Sequence, residues 1–115
     1  MRYAIAADAE GPFRSPQISP HFGRCERYEL VDVDDGQVVA RGALANPGHE
    51  PGRLPRLLKE SGVQVLVCGG AGPRAVNLLA ELGIGMFAGV SGNVEDAVAA
   101  ILRGELIGGE STCEH

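Results

Sequence analysis

The sequence predicts one α/β domain with a mixed sheet and helices packed against its faces. Two patterns predict it: a meander of β-rich segments in the first half, and regular strand–helix alternation in the second. At 115 residues the chain can bury one hydrophobic core but not two. With no Trp, three Phe and two Tyr, aliphatic side chains must build it.

Taken in order, residues 3–7 are a short apolar run that stops at Asp8, as a buried strand does. Residues 9–24 contain Gly11, Pro12, Pro16, Pro20 and Gly23, too many breakers for a regular element, and are expected to form a long loop. Loops of that length inside small domains are uncommon and often functional. Residues 28–33 and 37–44 are β-rich and are joined by Asp34-Asp35-Gly36, a hairpin signal. A Pro/Gly-rich loop over 46–52 then leads to a first helix. There Leu54, Leu57, Leu58 and Ser61 share a face, Pro55 fits the first turn and Gly62 supplies the stop.

The remainder alternates. Residues 63–68 read as a strand, and 73–82 as a helix with Val76 and Leu79 inward and Gly83 at its end. Residues 84–88 read as a strand and 94–102 as a helix that buries Val94, Ala97, Val98 and Ile101. Asn93 is the expected N-cap, with Asp96 in the first turn and Gly104 as terminator. The domain is therefore expected over 1–104, with 105–115 a loosely held tail.

A net charge of −5 excludes a broad nucleic-acid footprint, which needs clustered cations. Nine of the ten cations are Arg, the side chain better suited to planar anions. No apolar stretch approaches the ~20 residues of a bilayer span, and no signal-peptide pattern opens the chain. Three cysteines, an odd number without a disulfide pattern, fit a reducing cytoplasm.

Four segments carry candidate chemistry. In His21-Phe22-Gly23-Arg24-Cys25, an imidazole and a thiolate are good ligands for iron, copper or zinc. Gly23 would allow close backbone approach, and Arg24 would lower the Cys25 pKa. A loop histidine bonded to backbone and a core cysteine explain the same residues. Gly69-Gly70-Ala71-Gly72-Pro73-Arg74 follows a strand and opens a helix, where backbone N–H groups, the helix dipole and Arg74 suit an anion. It matches neither the Walker nor the full dinucleotide spacing, so a plain tight connection remains open. Gly89-Val90-Ser91-Gly92-Asn93 is a further strand-to-helix loop, expected at the same sheet edge if the last two strands are parallel neighbours. Cys113-Glu114-His115 offers two further ligands in the tail, short of a complete site. His49 stands alone in its loop.

No enzyme constellation is evident. Ser91 lacks a nucleophile elbow, and no protease signature surrounds Cys25. The acids Asp8, Asp32, Asp34 and Asp35 suggest a two-metal nuclease only until the hairpin turn and the net acidity are considered.

Together these segments resemble the dinitrogenase iron–molybdenum-cofactor biosynthesis family, which includes NifX- and NafY-like carriers and the C-terminal domain of NifB. The matching stretches are residues 3–8, S-P-x-I-S-x-H-F-G-R over 15–24, residues 28–36, L-P-x-L-L from Leu54, V-x-V-L-V-C-G-G-A-G-P-R-A over 63–75 and G-V-S-G-N-V-E-D-A over 89–97. They run nearly end to end in the family's order. The resemblance implies a ribonuclease-H-like three-layer fold with a mixed five-stranded sheet, ordered β-β-β-α-β-α-β-α. It implies a non-catalytic carrier for an iron–sulfur or iron–molybdenum-type cluster or its precursor, working with a cofactor-assembly or metalloenzyme protein as monomer or homodimer. The cluster-binding histidine maps onto His21, within a cofactor-binding set of His21, Phe22, Gly23, Arg24, Gly69, Gly70, Gly72, Arg74, Ser91 and Gly92. Cys25, Cys113 and His115 are the accompanying metal-ligand candidates, and Cys25 departs from the small residue common after H-F-G-R. Two other readings stay open: a metal-free module for a small anion or nucleotide fragment, and a docking domain that regulates a metalloenzyme.

Overall fold

In the computed structural model, residues 1–10, 16–18, 25–46, 53–90 and 92–104 are described. The elements in chain order are β1 (Arg2–Glu10), β2 (Pro16–Ile18), β3 (Arg27–Asp34), β4 (Gln37–Ala45), α1 (Arg53–Glu60), β5 (Val65–Val67), α2 (Pro73–Glu81), β6 (Gly85–Phe87) and α3 (Val94–Leu102). The expected meander, alternation and three helices are present, and the sheet is mixed.

Five strands lie in the order β4-β3-β1-β5-β6. β1 runs antiparallel to β3 and parallel to β5, and β5 parallel to β6. The expected count of five is corrected to six by β2, which pairs antiparallel with the end of β1 through a register shift between Asp8 and Glu10. The chain order is therefore β-β-β-β-α-β-α-β-α. The breakers of 9–24 hid β2, yet Pro at the first position of a short strand interrupts no inner ladder. The β3–β4 turn is tight because Asp35 and Gly36 both take positive φ, 54° and 76°, matching the strand twist.

Alternation along β1 divides the core into two layers. Tyr3, Ile5 and Ala7 face one side, with Val31, Val65, Val67 and the α3 residues Val94, Ala97, Val98 and Ile101. Ala4 and Ala6 face the other, with Tyr28, Leu66, Leu54 and Leu58 of α1 and Leu79 of α2. All four apolar positions predicted inward on α3 are buried, whereas on α2 only Leu79 is fully so. Helix α3 thus covers one face, and α1 with α2 the other. No helix among the described residues is long and apolar enough to cross a membrane.

Candidate functional site

The parallel run of β1, β5 and β6 brings their carboxyl ends to one sheet edge, where α/β sheets bind ligands. Backbone hydrogen bonds extend the β5–β6 ladder past the strands. Cys68 N–H donates to Phe87 O at 3.0 Å, Gly89 N–H to Gly69 O at 2.9 Å and Val90 N–H to Cys68 O at 3.2 Å. The two glycine loops are therefore one stitched unit, as parallel neighbouring strands require. β2 joins from the side, with Ile18 N–H donating to Gly92 O at 2.8 Å and Gln17 bridging to Asn93. Gly92 has φ 103°, a conformation that L side chains rarely adopt.

The helices that leave these loops differ. Asn93 Oδ1 accepts from Asp96 N–H at 2.8 Å, so α3 carries its own cap, followed by Glu95 and Asp96. Arg41 in turn clamps Glu95 through two hydrogen bonds, at 2.9 and 3.1 Å. Helix α2 starts from Gly72 with no side-chain cap, Pro73 in its first turn and no acidic residue there. Arg74 is exposed on that turn and forms no ion pair with another described residue. The Gly69–Arg74 half of the edge is thus suited to a negative group, and the Gly89–Asn93 half satisfies itself.

Cys25 is 3% exposed, at the start of β3 and beside the end of β1, where Glu26 N–H donates to Ala7 O at 3.1 Å. Asn46, just past β4, fixes it with a 2.7 Å hydrogen bond from Nδ2 to the Cys25 carbonyl. Burial pushes the Cys25 thiol pKa up. Hydrogen bonding from the Tyr28 hydroxyl and the backbone at Ala7 acts the other way, and the charge of Asp8 adds to the rise. This corrects the expected lowering of that pKa: desolvation of the thiolate governs in the buried layer that Cys25 shares with Tyr28, Ala6 and Cys68.

Of the candidates, Cys25, Gly69, Gly70, Gly72, Arg74 and Gly92 fall at this edge. His21, Phe22, Gly23, Arg24, Ser91, Cys113 and His115 lie outside the described residues, as does His49. Among the described residues no group of three His, Cys, Asp or Glu side chains converges as a metal site would. Two residues at this edge escaped the sequence-based expectations, Asn46 and Cys68. Asn46 carried a signal in its Asn-Pro turn pair. Cys68 is indistinguishable in sequence from any apolar strand position, and its thiol, outside any disulfide, is buried in the same layer as Cys25. The nuclease acids are dispersed: Asp32 pairs with Arg2 at the opposite end of β1, and Asp34 and Asp35 sit at the hairpin.

Residues 1–104 match the family model described as dinitrogenase iron-molybdenum cofactor. An uncharacterized protein of Methanocaldococcus jannaschii, MJ0580, is 26% identical over 100 residues, covering 83% of this chain and 85% of its own. The crystal structure of PH0822 superposes with a TM-score of 0.82 at 32% identity, over 90% of this chain and 92% of that one. The apo form of the orange protein from Desulfovibrio gigas gives a TM-score of 0.75 at 29% identity, over 96% and 93% of the two chains.

Proposed function

Because the chain belongs to the dinitrogenase iron–molybdenum cofactor family, we propose that it is a non-catalytic carrier for an iron–sulfur or iron–molybdenum-type cluster or its precursor. The cluster is cargo, delivered to or received from a cofactor-assembly or metalloenzyme protein in the cytoplasm. The observation that carries this reading is the meeting of Cys25, the uncapped start of α2 and the stitched glycine loops at one carboxyl edge. Such clusters are anionic, and an uncapped helix start beside an exposed Arg74 suits them. The ligand set we assign is His21 first, then Cys25, Cys113 and His115. A thiol raised by burial must lose its proton to ligate, so Cys25 ranks below His21. The ribonuclease-H-like arrangement belongs to the same proposal, supported by α3 on one sheet face and α1 and α2 on the other.

Anaerobic reconstitution with iron, sulfide and molybdate, followed by metal analysis and visible absorption, tests the reading. Coloured, metal-loaded protein is expected, with uptake weakened by His21→Ala. A colourless, metal-free product under every condition sinks it. An alternative reading, a metal-free anion module, is favoured by Gly72 and Arg74 alone. It predicts thermal stabilisation by an oxyanion that Arg74→Ala abolishes.

A further inference from the structure

We propose that β4 is a self-pairing edge, through which two copies of the chain associate antiparallel about a two-fold axis at Ala43. The argument starts at the other end of the ladder. Met1 N–H donates to Val33 O at 2.7 Å, and Val33 N–H returns to Met1 O at 2.9 Å. With that doubly bonded pair fixed and the β1–β3 register unbroken, alternation turns Val31, Glu29 and Arg27 toward β1. The intervening Asp32, Leu30 and Tyr28 turn toward β4, where they meet Ala40, Gly42 and Leu44. Asn46 N–H donating to Glu26 O at 3.1 Å keeps the same parity. The backbone groups of Arg41, Ala43 and Ala45 therefore point out of the sheet, on the side where β4 has no neighbouring strand among the described residues.

Natural edges are guarded by charge, proline or a bulge. Here the register shift between Asp32 and Val33 confines the bulge to the hairpin end. From Ala40 to Ala45 the single charge is Arg41, and Glu95 draws its guanidinium over one sheet face onto α3. Among the described residues the edge is left open.

Its side chains specify a second copy. Pairing about Ala43 sets Ala43 against itself and Arg41 against Ala45, three bonded pairs with no like charges opposed. Pairing about Arg41 would oppose two guanidinium groups. The register about Ala43 also sets Leu44 of each copy across from Gly42 of the other. At Gly42 an added Cβ would meet nothing within 4 Å. Beside it lies a trough of about 180 Å³ bounded by Arg2, Leu30, Asp32, Ala40, Arg41 and Gly42. Leu44, itself part-exposed, lands at the rim of that trough. The result is one sheet continuous across two copies, joined by a small and concentration-dependent interface.

Sedimentation equilibrium of the full chain from micromolar to millimolar concentration tests this. The mass should rise from 12.0 kDa toward twice that value and stop. Ala43→Pro removes the central outward N–H, which no strand among the described residues uses, and should stay monomeric with an unchanged circular dichroism spectrum. If that variant fails to fold, Ala43→Lys and Ala43→Glu serve instead. Each alone opposes like charges across the axis, and their mixture should pair roughly tenfold more tightly than either. A monomer at every concentration, assembly beyond two copies, a dimer indifferent to these substitutions, or a mixture no tighter than its parts would each overturn the proposal.

Discussion

Asn46 Nδ2 donates a 2.7 Å hydrogen bond to the carbonyl oxygen of Cys25, and so ties the start of β3 to the end of β4. Two segments that flank the proposed cargo edge are held at one point by one side chain. Asn46→Ala leaves that part-buried carbonyl without its side-chain donor, at a cost of about 1 kcal/mol. Denaturant unfolding should show that loss, and Cys25 should label faster with a thiol reagent. Unchanged labelling would mean the bond is incidental.

Cys25 itself should behave as a protected thiol. Burial raises its pKa, so the folded chain holds the proton above the usual thiol range while the unfolded chain releases it. The sign is fixed by that order: as pH rises past the ordinary thiol value, the group favours unfolding, until the folded thiol also ionises. Stability should fall on the alkaline side, less steeply in Cys25→Ala. Tyr28→Phe deletes a hydroxyl that favours the thiolate and should slow Cys25 alkylation further, as read by peptide mass mapping at several pH values.

The frame was legible because helix and strand periods are strong where each element buries one face. Val94, Ala97, Val98 and Ile101 read as one stripe, and all four are buried. β2 was not legible, since three residues starting with Pro16 carry no period; only the end of β1 opposite them makes a strand. At the site, the glycine loops announced themselves as strand-to-helix turns, but their stitching through Gly69 and Gly89 is a contact between distant segments. The raised pKa of Cys25 was hidden for the same reason. Arg24 is its neighbour in sequence, whereas the burial comes from a core layer built by residues far along the chain.

At the far end of β1, Arg2 Nε and Nη2 hold both Asp32 carboxylate oxygens, at 2.7 and 3.1 Å. The hydrogen bond from Arg2 lowers the Asp32 pKa. A lowered carboxyl contributes stability above its unfolded pKa and loses it as pH falls through the folded value. The melting-temperature gap between wild type and Asp32→Asn should therefore be open at neutral pH and close in acid. Since the pair is partly exposed to solvent, added salt should narrow the gap as well. A gap constant from neutral to strongly acid pH would show that the substitution acts by another route.

The uncapped start of α2 separates stability from cargo binding. Gly72 has φ −71° and ψ 161°, the extended conformation of an N-cap, and an added Cβ there would meet nothing within 4 Å. Gly72→Asp should therefore supply the missing cap and restrict the unfolded chain, stabilising the empty protein by about 0.5–1 kcal/mol. The same carboxylate would occupy the N–H groups that an anion needs and place a negative charge beside Arg74. Thermal stabilisation by molybdate, and metal uptake on reconstitution, should both fall in that variant although its own melting temperature rises. Gly72→Ser caps without a charge and should keep more of both. If Gly72→Asp instead takes up metal and molybdate as the wild type does, the α2 start is a structural turn, and the proposed cargo must rest on the assigned ligands His21 and Cys25 without it.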